Sequence, residues 1–273
     1  QSEIDKKRKK LEEDPIKWIK YFFPKYAKYE FAPFHVRAIK RVIEHDEWYE
    51  VLSWSRELAK STVAMFICMY LALTKRKRFF VLASATIDSA KRLLAPYKIN
   101  FESNPRIRQF YGSQVTLGQW TDGEFTAKCG AKFVALGAGS APRGARNEEV
   151  RPDVIYMDDY DTDEDCRNPE TLKKKWDWFE ASLYPTRSIS EPTLILWCGN
   201  IIAKDCCIKK AGAKARHWDI VNIRDKDGHS TWPAKNTEEQ IDTVLSNIST
   251  KSAQAEYFNN PVSEGTIFKY LPF

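Results

Sequence analysis

The feature that most constrains this chain is a series of short, continuously apolar runs separated by helical stretches. Val51 to Trp54, Arg78 to Leu82, Lys132 to Leu136, Val154 to Met157 and Thr193 to Cys198 read as strands. Thr62 to Thr74, Ile87 to Phe101 and Pro169 to Leu183 read as helices between them. A strand apolar on both faces must be covered on both faces, which predicts a mainly parallel sheet between two helical layers. Gly118 to Ala127 and Lys132 to Leu136, joined around Gly130, predict one local hairpin on that plan.

The flanks have a different texture. Residues 1–50 read as an N-terminal helical region, with Phe34, Ala38, Ile39, Val42 and Ile43 on one face. The basic run from Lys6 to Lys10 is expected on a solvated helix or arm, and Trp18, Tyr21, Phe22 and Phe23 in packed core. Residues 51–210 form the expected α/β core and 211–262 a smaller lid unit, in which His217 to Ile223 reads as a strand. Within that unit Thr237 and Gln240 have capping-box spacing. Residues 263–273 read as the start of a linker.

Composition removes several classes of function. Val63 to Leu73, the longest apolar stretch, is too short to span a bilayer, and no signal-peptide pattern opens the chain. Six cysteines and four histidines show no metal-ligand spacing, which fits reduced thiols rather than a disulfide or zinc scaffold. A net charge of +6 is compatible with a nucleic-acid partner without requiring one.

Chemistry concentrates where strands end. After the run Val51 to Trp54 comes Ser55-Arg56-Glu57-Leu58-Ala59-Lys60-Ser61-Thr62, leading into an apolar helix. A phosphate-binding loop needs that order: backbone N–H groups and a helix N-terminus facing phosphates, a Lys, and a hydroxyl for Mg²⁺. Trp54 and Ala59 stand where the glycine-rich pattern has Gly. About a hundred residues later, the run Val154 to Met157 ends in Asp158-Asp159, suited to holding a metal ion and orienting an attacking water. Between them lies a Gly-rich loop carrying Arg143 and Arg146, candidates for transition-state stabilisation. The strand Leu194 to Cys198 leads into Gly199-Asn200, where an amide can report on a phosphate or equally serve a turn.

Taken in order, these segments resemble the large terminase family of tailed bacteriophages. Further matching stretches are Ser84-Ala85-Thr86, Asn104-Pro105-Arg106-Ile107, Arg151-Pro152-Asp153, Arg167-Asn168-Pro169, Glu256 to Pro261 and Glu264 to Phe268. The resemblance implies a three-layer P-loop NTPase of RecA/ASCE-like type with a helical N-terminal part and a C-terminal lid. It implies ATP and Mg²⁺ as cofactors and an ATPase that drives double-stranded DNA into a procapsid. Such a motor works as a ring, expected to be a pentamer, on a portal protein with a small terminase subunit, in the host cytoplasm and without a membrane.

By that resemblance Lys60 binds phosphate, Ser61 and Asp158 serve Mg²⁺, Asp159 serves the water and Asn200 couples hydrolysis to movement. Phe34 and His35 are expected near the adenine. Relatives often have Gln where this chain has His35, and Glu where it has Asp159. Arg56, Arg143 and Arg146 all remain candidates for the arginine finger. The family carries a nuclease domain after the motor, so these residues are expected to be the motor part of a longer protein, without DNA cleavage of their own. Two other readings fit the residues: a helicase-like P-loop translocase, and a non-hydrolysing DNA-binding module with a degenerate nucleotide site.

Overall fold

The computed structural model describes residues 2–142 and 150–262. The apolar runs are strands of one sheet: β1 (Trp48–Trp54), β2 (Phe79–Ser84), β3 (Glu124–Thr126), β4 (Lys132–Gly137), β5 (Val154–Asp158), β6 (Leu194–Cys198) and β7 (His217–Val221). Their order is β3-β4-β2-β5-β6-β1-β7. Every pairing is parallel except β3 with β4, which is the expected hairpin with a shorter first strand.

Alternate residues of each strand enter different cores, which is the direct mark of a sheet covered on both sides. Phe80, Leu82, Val154, Tyr156, Leu194 and Leu196 join one core, packed by α2 (Pro15–Phe22), α3 (Pro33–Ile43), α4 (Lys60–Leu73) and α5 (Ile87–Ser103). Phe79, Val81, Ile155, Met157, Ile195 and Trp197 join the other, with α8 (Pro169–Asp177) and α9 (Cys207–Lys214). Between α5 and β3 lies α6 (Pro105–Tyr111), and α7 (Asp163–Arg167) precedes α8. The mostly parallel three-layer α/β architecture is therefore the one expected.

Helix α1 (Glu3–Glu12) buries none of its residues, so the basic run lies on a solvent-facing helix. Trp18, Phe22 and Phe23 are buried, and Phe22 meets Phe110 edge-on with ring centroids 5.6 Å apart. The stretch Pro169 to Leu183 is not a single α-helix: α8 stops at Asp177, and Trp178–Leu183 continues as a π-helix. All six cysteines are free thiols. Among the described residues no helix is long and apolar enough to cross a membrane.

One boundary needs correcting. The strand expected in the C-terminal unit is β7, and it pairs in parallel with β1, from Glu50↔His217 to Trp54↔Val221. The main sheet therefore runs across the expected division at residue 210. Its half-exposed pattern is that of an edge strand, which explains why it lacks the apolar signature of the others. Beyond it, α10 (Glu238–Ser246) starts at a complete capping box: Thr237 Oγ1 accepts from the Gln240 N–H at 3.2 Å, and Gln240 Oε1 accepts from the Thr237 N–H at 2.9 Å. Helix α11 (Thr250–Tyr257) then returns to the ends of the strands.

Candidate functional site

The register brings three strand ends together. Leu52 of β1 and Asp158 of β5 both pair with Cys198 of β6, so the loops after these strands emerge at one edge. Ligands collect outside the carboxyl ends of parallel strands because the flanking loops diverge there. At this edge lies a cleft of about 570 Å³, lined by Arg56, Lys60, Asp158, Asp159, Asn200 and Glu256 among others.

The loop from Ser55 to Ala59 turns left-handed at two positions without a glycine at either. Glu57 (φ 69°) and Ala59 (φ 63°) are both left-handed. Side chains usually avoid this region because Cβ crowds the following carbonyl. Ala59 is the N-cap of α4, and among the described residues no side chain accepts from the first turn of that helix. By contrast, Thr86 caps α5, Asn104 caps α6 and Asn168 caps α8. An uncapped helix start leaves N–H groups and a positive dipole end available to an anion.

Opposite it, Ser61 Oγ donates to Asp158 Oδ2 at 2.7 Å. The Tyr156 hydroxyl donates to the same oxygen. Both donors converge on Oδ2, and Oδ1 has no hydrogen bond among the described residues. Burial pushes the Asp158 carboxyl up to about 7, aided by the charge of Asp159 and opposed by Tyr156, Ser61 and Lys60. Asp159 is exposed and left-handed (φ 42°), and its N–H is held by the Cys198 carbonyl at 3.0 Å.

These residues fit a nucleotide with its divalent cation. A hydroxyl in contact with a buried carboxylate is a hard-oxygen pair, and Mg²⁺ commonly takes one or two protein ligands beside phosphates and water. Among the described residues no cluster of three or more His, Cys, Asp or Glu side chains could hold a metal ion without such help.

The other expected residues are placed differently. Arg56 and Asn200 both line the cleft, and both bind Glu256 of α11: Arg56 Nε donates to Glu256 Oε2 at 2.5 Å, and Asn200 Nδ2 donates to the Glu256 carbonyl. Ser55 and Leu58 are buried under the loop. Glu57 faces Lys235, whose Nζ reaches its Oε2 at 2.6 Å. Thr62 is half-buried in the first turn of α4.

Phe34 and His35 are buried and do not line this cleft. The Ala32 N–H donates to His35 Nδ1 at 3.0 Å, and His35 Nε2 lies 2.9 Å from the Leu58 carbonyl. That pattern requires the neutral Nε2–H tautomer, and burial lowers the ring's pKa to about 4. With both nitrogens engaged, His35 braces the loop from beneath. Arg143 and Arg146 lie outside the described residues.

Sequence reasoning passed over four contributors. Tyr156 was read only as strand, although period-2 alternation puts it on the same face as Asp158. Asp161 has no role assigned from the sequence, yet its carboxylate accepts from the Cys207 and Ile208 N–H groups at 2.7 and 2.8 Å, capping α9. Glu256 and Asn259 stood only within a matching stretch. Asn259 Oδ1 accepts from the Ile201 N–H at 2.9 Å, and its Nδ2 donates to the Ser53 carbonyl at 2.8 Å.

No model of a known protein family matches the sequence, and no curated protein matches it. Solved structures do. The HK97 bacteriophage large terminase superposes with a TM-score of 0.58 at 11% identity, over 85% of this chain and 51% of that one. An arginine-to-alanine variant of the large terminase ATPase domain of Thermus phage P74-26 gives 0.52 at 13% identity, over 88% and 98%. The large terminase of a thermophilic bacteriophage, in complex with ADP, gives 0.51 at 13% identity, over 84% and 53%. The chain thus spans about half the length of the first and third of these proteins. At such identities the likeness is one of fold, and this chain has the fold of the ATPase domain of phage large terminases.

Proposed function

We propose that the chain is an ATP-hydrolysing motor domain that translocates double-stranded DNA into a viral procapsid. The contact between Ser61 and Asp158 carries this reading. It joins the uncapped start of α4 to the carboxylate pair ending β5, on a sheet that terminase ATPase domains share. In this reading the N–H groups around Ala59 and the Lys60 ammonium hold the phosphates, while Ser61 and Asp158 hold Mg²⁺. Bound Mg²⁺ would neutralise phosphate charge as the terminal bond breaks. Asp159, exposed beside Asp158, orients the attacking water and accepts its proton. Asn200 lies at the end of the strand between β1 and β5, where it senses the phosphate and passes its state to α11 through Glu256.

The partners follow from the same proposal: double-stranded DNA, a portal protein, a small terminase subunit and further copies of the chain in a ring. Arg56, Arg143 and Arg146 are the candidates to complete a site within that ring. The test is Mg²⁺-ATP binding and phosphate release by the wild type and Lys60→Ala, with and without double-stranded DNA. Binding lost in Lys60→Ala and turnover raised by DNA support the motor. Equal, weak binding by both proteins would sink it in favour of a non-hydrolysing module.

A further inference from the structure

The matching stretch Ser84-Ala85-Thr86 has no part in the site described above, yet its first two residues line the cleft. β2 and β5 pair in parallel up to Ala83↔Met157, so Ser84 neighbours Asp158 where the two strands end. Period-2 alternation puts Ser84 on the face of Leu82 and Asp158 on the face of Tyr156. Both faces belong to the core packed by α4 and α5. Ser84 is 4% exposed, and among the described residues its hydroxyl makes no hydrogen bond. A hydroxyl so enclosed normally has a partner, and what this one meets is the cleft.

Thr86 orders the other part of the same wall. As the N-cap of α5 it accepts from the Ser89 N–H at 3.1 Å, and its hydroxyl donates to Ser89 Oγ at 3.0 Å. Ser89 Oγ in turn accepts from Arg92 Nη2 at 3.1 Å, which sets one arm of the guanidinium. Arg92 is exposed, lines the cleft and has no carboxylate partner among the described residues. Of the three cationic side chains that line the cleft, Arg56 is shared with Glu256, and Lys60 belongs to the nucleotide in the reading above. Arg92 is the one left. Asp159 and Asp163 face the same space, so an anion freed beside them is repelled and drawn towards the uncompensated cation.

We propose that Ser84 and Arg92 form a subsite for inorganic phosphate, which takes up the phosphate freed from a bound nucleoside triphosphate before it leaves the cleft. The Ser84 hydroxyl and the unengaged N–H groups of Arg92 donate to its oxygens, and hydrogen bonds from a guanidinium to an oxyanion are among the strong ones. This assignment rests on the nucleotide-site reading and adds the place that its product occupies. In the strand order β5 lies between β2 and β1, so the subsite is on the far side of Asp158 from Lys60. Nucleotide and released phosphate are therefore held by different groups.

The experiment is calorimetric titration of the full chain with Mg²⁺-ADP and with a non-hydrolysable Mg²⁺-ATP analogue, then of its Mg²⁺-ADP complex with inorganic phosphate. The proteins are wild type, Ser84→Ala, Arg92→Ala, Arg92→Gln and Arg92→Lys. Ser84→Ala and Arg92→Ala are each expected to weaken phosphate by roughly three- to tenfold, the scale of one net hydrogen bond, and to bind both nucleotides as the wild type does. Arg92→Lys keeps the charge and recovers part of the loss. Arg92→Gln keeps a donor for Ser89 without the charge and loses as much as Arg92→Ala. Should Arg92→Ala not fold, Arg92→Gln and Ser84→Ala carry the test, their wild-type Mg²⁺-ADP affinity showing that the fold persists. Unchanged phosphate affinity in both of these overturns the proposal. So does an equal loss for the triphosphate analogue, which would put both residues on the nucleotide itself. If the wild type binds neither nucleotide, the motor reading fails and this one with it; binding of Mg²⁺-ADP with no uptake of phosphate overturns this one alone.

Discussion

Substituting His35 tests whether the loop from Ser55 to Ala59 is braced from below. The ring sits fully buried between α3 and the loop, accepting at Nδ1 and donating at Nε2, so only its neutral form fits. Burial lowers its pKa from 6.5 to about 4, with the charge of Lys235 adding to the effect and the bond to Leu58 opposing it. Between those values the unfolded chain binds a proton that the folded chain does not. Stability from this group is therefore fully present above pH 6.5 and is lost as pH falls towards 4. At 1.36 kcal/mol per pH unit, the loss reaches about 3 kcal/mol by pH 4. The assay is urea denaturation at a series of pH values from 7.5 to 4 for the wild type and His35→Gln. Glutamine supplies a donor and an acceptor but does not titrate, and all carboxylate effects are common to both proteins. The wild type should lose about 3 kcal/mol more than the variant over this range. Parallel curves would refute the buried neutral histidine and the bracing with it.

Three further substitutions probe the same edge of the sheet. Ser61→Ala removes one of two donors to a buried carboxylate and should cost about 1–2 kcal/mol in denaturant unfolding; an unchanged midpoint would show that the contact with Asp158 is not made. Gly137→Ala would place Cβ 2.4 Å from the backbone nitrogen of Ile87, where no side-chain rotation relieves it. A loss of about 1–3 kcal/mol is expected in the same assay, and a loss below that would mean that β4 and α5 meet less closely. Ala59→Gly removes a left-handed penalty of about 1–2 kcal/mol against a glycine entropy cost of about 0.5–1 kcal/mol. The protein should become slightly more stable, and a clear loss would argue against the left-handed turn at Ala59.

Much of the fold was legible because buried parallel strands advertise themselves. Phe79 to Ser84, Val154 to Asp158 and Leu194 to Cys198 are apolar at nearly every position, since each face meets a different core. β7 was visible as a strand but not as part of this sheet. Its sequence, His217 to Val221, is half-exposed at the edge, and nothing local says which neighbour it pairs with. The π-helical turn after α8 was not legible either, because Trp178, Phe179 and Leu183 keep an apolar spacing that an α-helix would also satisfy. At the site, the order of strand, loop and Lys60-Ser61 was readable. The bond between Asn200 and α11 was not, since its partners lie 56 residues apart and meet only after the sheet has formed.

The glycine positions show why the loop escapes a pattern search and still keeps its shape. Trp54, in place of the first glycine, belongs to the core: its ring meets Phe34 at 4.9 Å and its Nε1 donates to Asp219 at 2.8 Å. The strand simply continues to that residue, so no glycine is needed there. At Ala59 the backbone does turn left-handed, and Glu57 turns likewise, each at a cost of about 1–2 kcal/mol. Such strain persists only where the surroundings over-determine it. Here they do, residue by residue: Glu256 holds the Arg56 N–H and side chain, Lys235 holds the Glu57 carbonyl at 3.0 Å, and His35 holds the Leu58 carbonyl. Three elements from outside the loop thus impose angles that a glycine would adopt without strain. The loop's shape is then only as firm as those braces, and two of them, Lys235 and Glu256, belong to the segment that follows β7. Loss of either contact from that segment would remove a constraint that holds the loop in its left-handed turns.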